Sequence, residues 1–241
     1  MAFNEEGGVR DAVDRAIAAL TAEAVQFELL IVDDGSTDAT PAIADELAKD
    51  ARVEVVHHRP NQGLGAVYRT GFTRTRGRWV GFLPADGEIP AEAVLHLYRH
   101  RAGADLVLGA LPDDRRPLLA RALSAAERAL IRAAFGHFPR FQGGLLVSAT
   151  ALERVPVAMA GSRGWMLVTE LIVRAHRAGL RLVSVDTGYV PRSAGRSKVR
   201  NLNTVLANLG QLGLLRLVLW GLGPSAKPLR PPGTHTSPGE R

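Results

Sequence analysis

Apolar and polar positions along the chain follow two periods. Val9, Val13, Ile17 and Leu20 recur at helical spacing and predict a helix over 9–24. Glu28 to Val32 is a nearly unbroken apolar run rich in branched residues, the composition of a strand buried on both faces of a parallel sheet. The same reading predicts a helix over Pro41–Lys49, a short strand over Val53–His57 and a helix over Gly65–Arg74. A buried strand over Trp79–Leu83, a helix over Ala91–His100 and a strand over Asp105–Gly109 follow. Strands alternating with helices predict an α/β fold, a doubly wound and mostly parallel central sheet over residues 1–200. Pro112 to Pro117 is a charged break, and Leu118 to Ala134 has the spacing of an amphipathic helix that could line an acceptor groove. Leu202 to Leu222 predicts an apolar amphipathic helix over 201–222, and the Pro-, Gly- and Ser-rich stretch 223–241 predicts a disordered tail.

The chemistry gathers where these strands end. The run Leu29–Val32 stops at Asp33-Asp34-Gly35-Ser36-Thr37-Asp38, two carboxylates followed by a glycine and small polar residues. Ligands of open α/β sheets bind at the carboxyl ends of the strands. Paired carboxylates there can accept hydrogen bonds from a nucleobase and a ribose, so Asp33 and Asp34 point to a nucleotide site. Helix capping by Ser36 or Thr37 ahead of Pro41 accounts for the later residues, but not for two acids ending a buried strand. A second strand, Trp79–Leu83, likewise ends at Asp86-Gly87-Glu88. His57, His58 and His137 lack metal-ligand spacing and read as ordinary surface or loop residues.

Composition narrows the partners. The 241-residue chain carries a formal charge of +6 and no cysteine, which excludes disulfides and thiolate metal sites. Glu5, Glu6 and Arg10 interrupt any leading apolar stretch, so no signal peptide is visible. The positive balance favours anionic substrates and lipid head groups. Nucleic acid fits less well, since aromatics for base stacking are few and no binding motif is present.

Four ordered segments resemble one family. Val32-Asp33-Asp34-Gly35-Ser36, with Asp38 and Thr40, is similar to the Val-Asp-Asp-Gly-Ser-x-Asp-x-Thr segment of the family-two glycosyltransferases. Ala2-Phe3-Asn4-Glu5-Glu6 resembles the family's opening turn, and Asn61-Gln62-Gly63-Leu64-Gly65-Ala66 with Gly71 its glycine-rich segment. Arg192 to Lys198 resembles the Arg-x-x-Gly-x-Ser-Lys close of the polyprenyl-phosphate branch, which includes the dolichyl-phosphate mannose and glucose synthases. The resemblance implies a nucleotide-sugar site built from Phe3, Asn4, Glu5, Asp33, Asp34, Gly35, Ser36 and Asp86. It implies phosphate or acceptor contacts from Arg192, Ser197 and Lys198, with Asp86, Arg192 and Lys198 as catalytic groups.

The match has departures. The family's Asp-x-Asp becomes Pro84-Ala85-Asp86, which leaves Asp86 and Glu88 to hold Mg²⁺ or Mn²⁺ with diphosphate oxygens and water. Arg140, Phe141 and Gln142 stand where an acid is usual, so no catalytic role is carried to them. Glu170 falls near the family's helix-start acid and is equally suited to structural pairing. Only Met1 to Phe3 precede Asn4-Glu5-Glu6, where family members carry a strand, so the sheet is expected to lack its first strand.

The resemblance implies inverting transfer of a sugar to a polyprenyl phosphate, at the cytoplasmic face of the cell membrane. A phosphate acceptor is already anionic and needs no strong general base; it needs positioning and stabilisation of the departing nucleoside diphosphate. Interfacial contact by 201–222, with Arg196, Lys198 and Arg200 near head groups, would serve that acceptor. Transfer to a saccharide or small-molecule hydroxyl, and a catalytically silent nucleotide-binding relative, are the alternatives. A dinucleotide-dependent oxidoreductase is disfavoured, because Asn61–Gly65 does not follow a Gly-x-Gly-x-x-Gly strand–helix arrangement.

Overall fold

The computed structural model describes residues 1–87, 89–110, 129, 132, 136, 141, 144–158, 166–187, 213–221 and 225–231. Helix α1 (Val9–Ala22) leads into β1 (Leu29–Asp33), α2 (Thr40–Leu47) and β2 (Val53–His57). Then come α3 (Leu64–Arg74), β3 (Trp79–Gly81), α4 (Ala91–Arg99) and β4 (Leu106–Ala110). Beyond residue 141 lie β5 (Leu145–Ser148), α5 (Ala149–Arg154), β6 (Pro156–Val157), α6 (Met166–Arg177), β7 (Leu182–Asp186) and β8 (Lys227–Pro228).

Helices cover both faces of the strands. On one side Val13 of α1 and Ala44 and Leu47 of α2 pack on Ile31 and Val53, while Leu97 of α4 packs on Val107, Leu146 and Val185. On the other, Tyr68 and Phe72 of α3 and Leu167, Leu171 and Ile172 of α6 meet Leu106, Leu108, Leu145 and Val147. The alternation Leu106/Val107/Leu108 therefore feeds two cores, which is why the strand reads as an unbroken apolar run. The expected doubly wound architecture is present, with one departure from parallel order. β1 pairs with β2 and β4 with β7 in parallel, but β5 inserts antiparallel between β3 and β4.

A discontinuity runs between β1 and β3. Among the described residues no ladder joins these two strands, and the sheet divides into β1-β2 and β3-β5-β4-β7. Met1 and Ala2 bridge only the carboxyl ends. Ala2 donates to the Val32 carbonyl at 2.9 Å and accepts from the Asp34 amide at 2.9 Å. Met1 donates to the Leu83 carbonyl at 3.1 Å and accepts from the Ala85 amide at 3.0 Å. Both are parallel patterns. Met1 thus straddles Pro84, whose position beyond the end of the β5 pairing places no demand on a missing amide hydrogen.

The carboxyl-terminal stretch corrects the expectation of a disordered tail in part. Lys227 and Pro228 pair antiparallel with Val157 and Pro156. Arg230 is buried and donates to the carbonyls of Phe72 (2.9 Å) and Gly77 (3.1 Å) and to Thr75 Oγ1 (2.9 Å), pinning the end of α3. Residues 232–241 lie outside the described residues. Upstream, residues 213–219 are helical and bury Leu215 and Val218 against Met166 and Val173 of α6. Of the predicted helix over 201–222, residues 213–219 thus rest on the protein's own core, and residues 201–212 and 222 lie outside the described residues.

Candidate active site at the strand tips

Asp33 ends β1 and Asp34 follows it, with their side chains almost fully buried, at 2% and 6% exposure, so both carboxylates need internal partners. Asp34 accepts from His58 Nδ1 at 2.8 Å, from the Gln62 amide at 3.0 Å and from the Gly63 amide at 2.8 Å. It holds the glycine-rich turn and places negative charge at the start of α3, where the helix dipole favours it. The Asn61 side chain donates to the Asp34 carbonyl at 2.8 Å. Gly35, at φ 75°, is required here: a Cβ would lie 2.7 Å from the Asn61 nitrogen.

Asp33 accepts from the Ser36 amide at 3.0 Å and from His57 Nδ1 at 2.8 Å, and His57 Nε2 reaches Asp45 at 3.0 Å. Burial alone would raise the Asp33 pKa, but the hydrogen bonds from Ser36 and His57 hold it below the ordinary value. Hydrogen bonds to Asp33 and then Asp45 raise the His57 pKa. A base whose pKa is raised on folding adds stability that is fully present below its unfolded value, about 6.5, and fades as pH rises through the folded one. The stability gap between wild type and His57→Gln should therefore be larger at pH 5.5 than at pH 8.5 in urea denaturation.

The opening turn locks onto this loop. Asn4, at φ 55°, donates its amide to Ser36 Oγ at 2.9 Å and accepts from the Thr37 amide at 2.9 Å. The Glu5 amide donates to Thr40 Oγ1 at 2.8 Å. The expected cap of α2 by Ser36 or Thr37 is not what forms, because both face Asn4. The amides of Ala39 and Thr40 donate instead to Glu6 Oε2 and Asp38 Oδ1, each at 2.9 Å. Phe3 lies beside the turn and remains 38% exposed.

Asp86 follows β3 and is half-buried in the turn after Ala85, next to the Met1 amino group, whose pKa its charge raises against the stronger opposing effect of burial. The strand position of Met1 and Ala2 separates it from the tip of β1. Two strand spacings amount to about 10 Å, the reach of a nucleoside diphosphate across the sheet end. The structure thus gathers Asn4, Glu5, Asp33, Asp34, Gly35, Ser36 and Asp86 at one sheet end. Glu88, Arg192, Ser197 and Lys198 lie outside the described residues, as do His137 and Gln142.

Sequence reasoning missed the two histidines. His58 is 6% exposed and clamped between Asp34 and Thr70 Oγ1 (2.8 Å), while His57 ties β2 to Asp33 and Asp45; neither is an ordinary surface residue. Their place at the end of the Val53–His57 strand, beside the paired acids of the preceding one, was the available signal. Glu170 is structural. Fully buried, it accepts from the Ala158 amide at 2.9 Å and from Arg174 Nε at 2.7 Å.

Among the described residues no three His, Asp or Glu side chains cluster as a closed cation site. Asp86 alone fits a site completed by diphosphate oxygens, because Mg²⁺ is commonly held by one or two carboxylates with substrate phosphates.

Comparisons with known proteins bear on the family and the fold. The chain is 31% identical over 212 residues to polyprenol monophosphomannose synthase of Mycolicibacterium smegmatis, covering 82% of this chain and 77% of that one. It is 29% identical over 224 residues to undecaprenyl-phosphate mannosyltransferase of Micrococcus luteus, covering 86% of each. The fold matches glucosyl-3-phosphoglycerate synthase from Mycobacterium tuberculosis, in complex with Mn²⁺, uridine diphosphate and glucosyl-3-phosphoglycerate. That match has a TM-score of 0.64 at 28% identity, covering 93% of this chain and 79% of that one. Residues 1–141, more than half of the chain, match the Glycosyl transferase family 2 domain, and the protein belongs to that family of sugar-transferring enzymes.

Proposed function

We propose that this glycosyltransferase moves a sugar from a nucleoside diphosphate donor to a polyprenyl phosphate at a membrane surface, with inversion at the anomeric carbon. The observation that carries the reading is the shared sheet end of Asp33, Ser36 and Asp86, in a chain similar over most of its length to two polyprenyl-phosphate mannosyltransferases. Lone pairs left on Asp33, with Ser36 and the backbone around Gly35, would orient the nucleoside. Asp86, with Glu88, would hold Mg²⁺ or Mn²⁺ against the diphosphate, where the ion offsets charge on the departing group. Arg192, Ser197 and Lys198 would gather phosphate oxygens. An acceptor phosphate oxygen attacks the anomeric carbon as the bond to the donor diphosphate breaks, so no proton need be removed from the nucleophile.

The acceptor's lipid character has its own support. No described helix is long and apolar enough to cross a membrane. The helical turn 213–219 nevertheless turns Leu214 and Leu217 outward, followed by Trp220, at 47%, 43% and 63% exposure. Arg216 lies 4.9 Å over the Trp220 ring. An apolar stripe with a tryptophan and an arginine suits the boundary between head groups and acyl chains. Leu214→Glu with Leu217→Glu should weaken binding to anionic phospholipid vesicles by about tenfold or more, since each leucine contributes about 1.5–3 kcal/mol when fully buried. Leu215 and Val218 stay buried in this variant, so folding is preserved.

The reaction is tested by transfer from labelled nucleotide sugars to polyprenyl phosphate, with and without Mg²⁺ or Mn²⁺. Cation-dependent product on the lipid phosphate supports the reading. Product only on phosphoglycerate or saccharide hydroxyls would replace it with the hydroxyl-acceptor alternative.

A further inference from the structure

The tips of β1 and β2 carry two aspartate–histidine pairs side by side. The parallel register sets Asp33 opposite His57, and Asp34 and His58 follow one position on. Alternation along a strand sends the two pairs to opposite faces of the sheet. Asp34 and His58 turn toward α3, where His58 Nε2 meets the Thr70 hydroxyl at 2.8 Å. Asp33 and His57 share the face of Ile31, Val53 and Val55, which packs on Ala44 and Leu47 of α2, and there His57 Nε2 meets Asp45.

The partners differ in a way that fixes charge. A hydroxyl can donate or accept, so His58 fits its place as a neutral ring, donating to Asp34 and accepting from Thr70. A carboxylate only accepts, so both nitrogens of His57 donate, to Asp33 Oδ2 at 2.8 Å and to Asp45 Oδ1 at 3.0 Å. His57 is thus an imidazolium between one buried and one exposed acid, with side chains 2% and 68% exposed. Asp33 passes the restraint on. Its other oxygen holds the Ser36 amide at 3.0 Å, and Ser36 Oγ accepts from the Asn4 amide at 2.9 Å. One relay therefore runs from the surface of α2 to the loop at the strand tip.

We propose that His57 is a positioning residue for the nucleoside of the donor, fixing the Asp33 carboxylate and, through it, the Ser36 loop against which the nucleoside sits. This role rests on the donor site proposed above. Bonds between ionised partners are stronger than neutral ones, which suits His57 to hold a loop that must keep its shape while empty. Without the Nδ1 donor, Asp33 would remain a buried charge short of a partner, and its turn toward another would carry the Ser36 amide with it.

The test measures calorimetric binding of the common nucleoside diphosphates with Mn²⁺ to the full chain, beside steady-state transfer. An asparagine amide stands near the Nδ1 position of histidine and a glutamine amide near Nε2. His57→Asn should therefore bind nucleotide within about threefold of wild type, while His57→Gln should lose about tenfold or more, with donor KM raised to match and kcat within about twofold. The Ser36 amide resonance should keep its place in His57→Asn and move in His57→Gln. In the wild type, nitrogen spectra should show protons on both His57 ring nitrogens at pH 7, above the ordinary titration of histidine. Equal affinity in wild type and His57→Gln would overturn the proposal, as would equal losses in the two variants or a loss carried by kcat. A bare ring nitrogen in the wild type at pH 7 would overturn it even where His57→Gln does not fold. Failure of the wild type to bind any of the diphosphates would overturn the donor site and this role with it, whereas wild-type binding that ignores His57→Gln overturns this role alone.

Discussion

Asp86→Ala is expected to lower kcat/KM for sugar transfer by about 10²–10³-fold while leaving the melting temperature nearly unchanged. Removing one preorganised group that balances charge in a transition state has effects of that size. In the proposed reaction that charge would develop on the departing nucleoside diphosphate and be offset by the cation that Asp86, in the turn following β3, would help hold. The side chain is half-buried in a turn after Ala85, whose own place is fixed by the hydrogen bond its amide donates to the Met1 carbonyl and by its contact with Val9. Its loss therefore opens no core. The dependence on Mn²⁺ or Mg²⁺ should move to higher concentration in Asp86→Asn, which keeps the shape and removes the charge. Steady-state kinetics over a cation titration check both; unchanged activity and cation dependence in both variants would remove Asp86 from the mechanism.

Asp34→Ala is expected to act in the opposite way, on folding before chemistry. Three donors converge on this carboxylate from His58, Gln62 and Gly63, in a site with almost no solvent. Deleting it leaves them unsatisfied and releases the start of α3, for a loss of about 3–5 kcal/mol. Asp34→Asn keeps one acceptor oxygen and should lose less. Chemical denaturation measures both, and a loss below about 1 kcal/mol for Asp34→Ala would show that the network is not the anchor the distances describe.

These two acids also show what the sequence carried. That Asp33 and Asp34 lie at the end of one buried strand and Asp86 beyond the end of another was legible, because an apolar run stopping at acids is a local pattern. Val53–His57 was read with its observed bounds, since five branched or alternating residues between turns leave little choice. β5 and its antiparallel insertion were not read. Leu145–Ser148 is four residues long, and the orientation of so short a strand is decided by the neighbours it pairs with. The histidines were missed for a similar reason. His58 is spoken for by Asp34 and Thr70, 24 residues before it and 12 after it, and nothing local marks a buried imidazole. The cap of α2 came from Glu6, 33 residues before the amide it serves, where local rules favoured Ser36 or Thr37. Arg230 was hidden in a Pro- and Gly-rich tail whose composition resembles disorder, although its guanidinium finds three acceptors around the end of α3.

The central claim is one donor pocket spanning the tips of β1 and β3. A crystal structure with a nucleoside diphosphate and Mn²⁺ tests it most directly. The account predicts the nucleoside against Asp33, Gly35 and Ser36, with the diphosphate and cation beside Asp86. A nucleotide bound with its base or its phosphates away from these tips would contradict it.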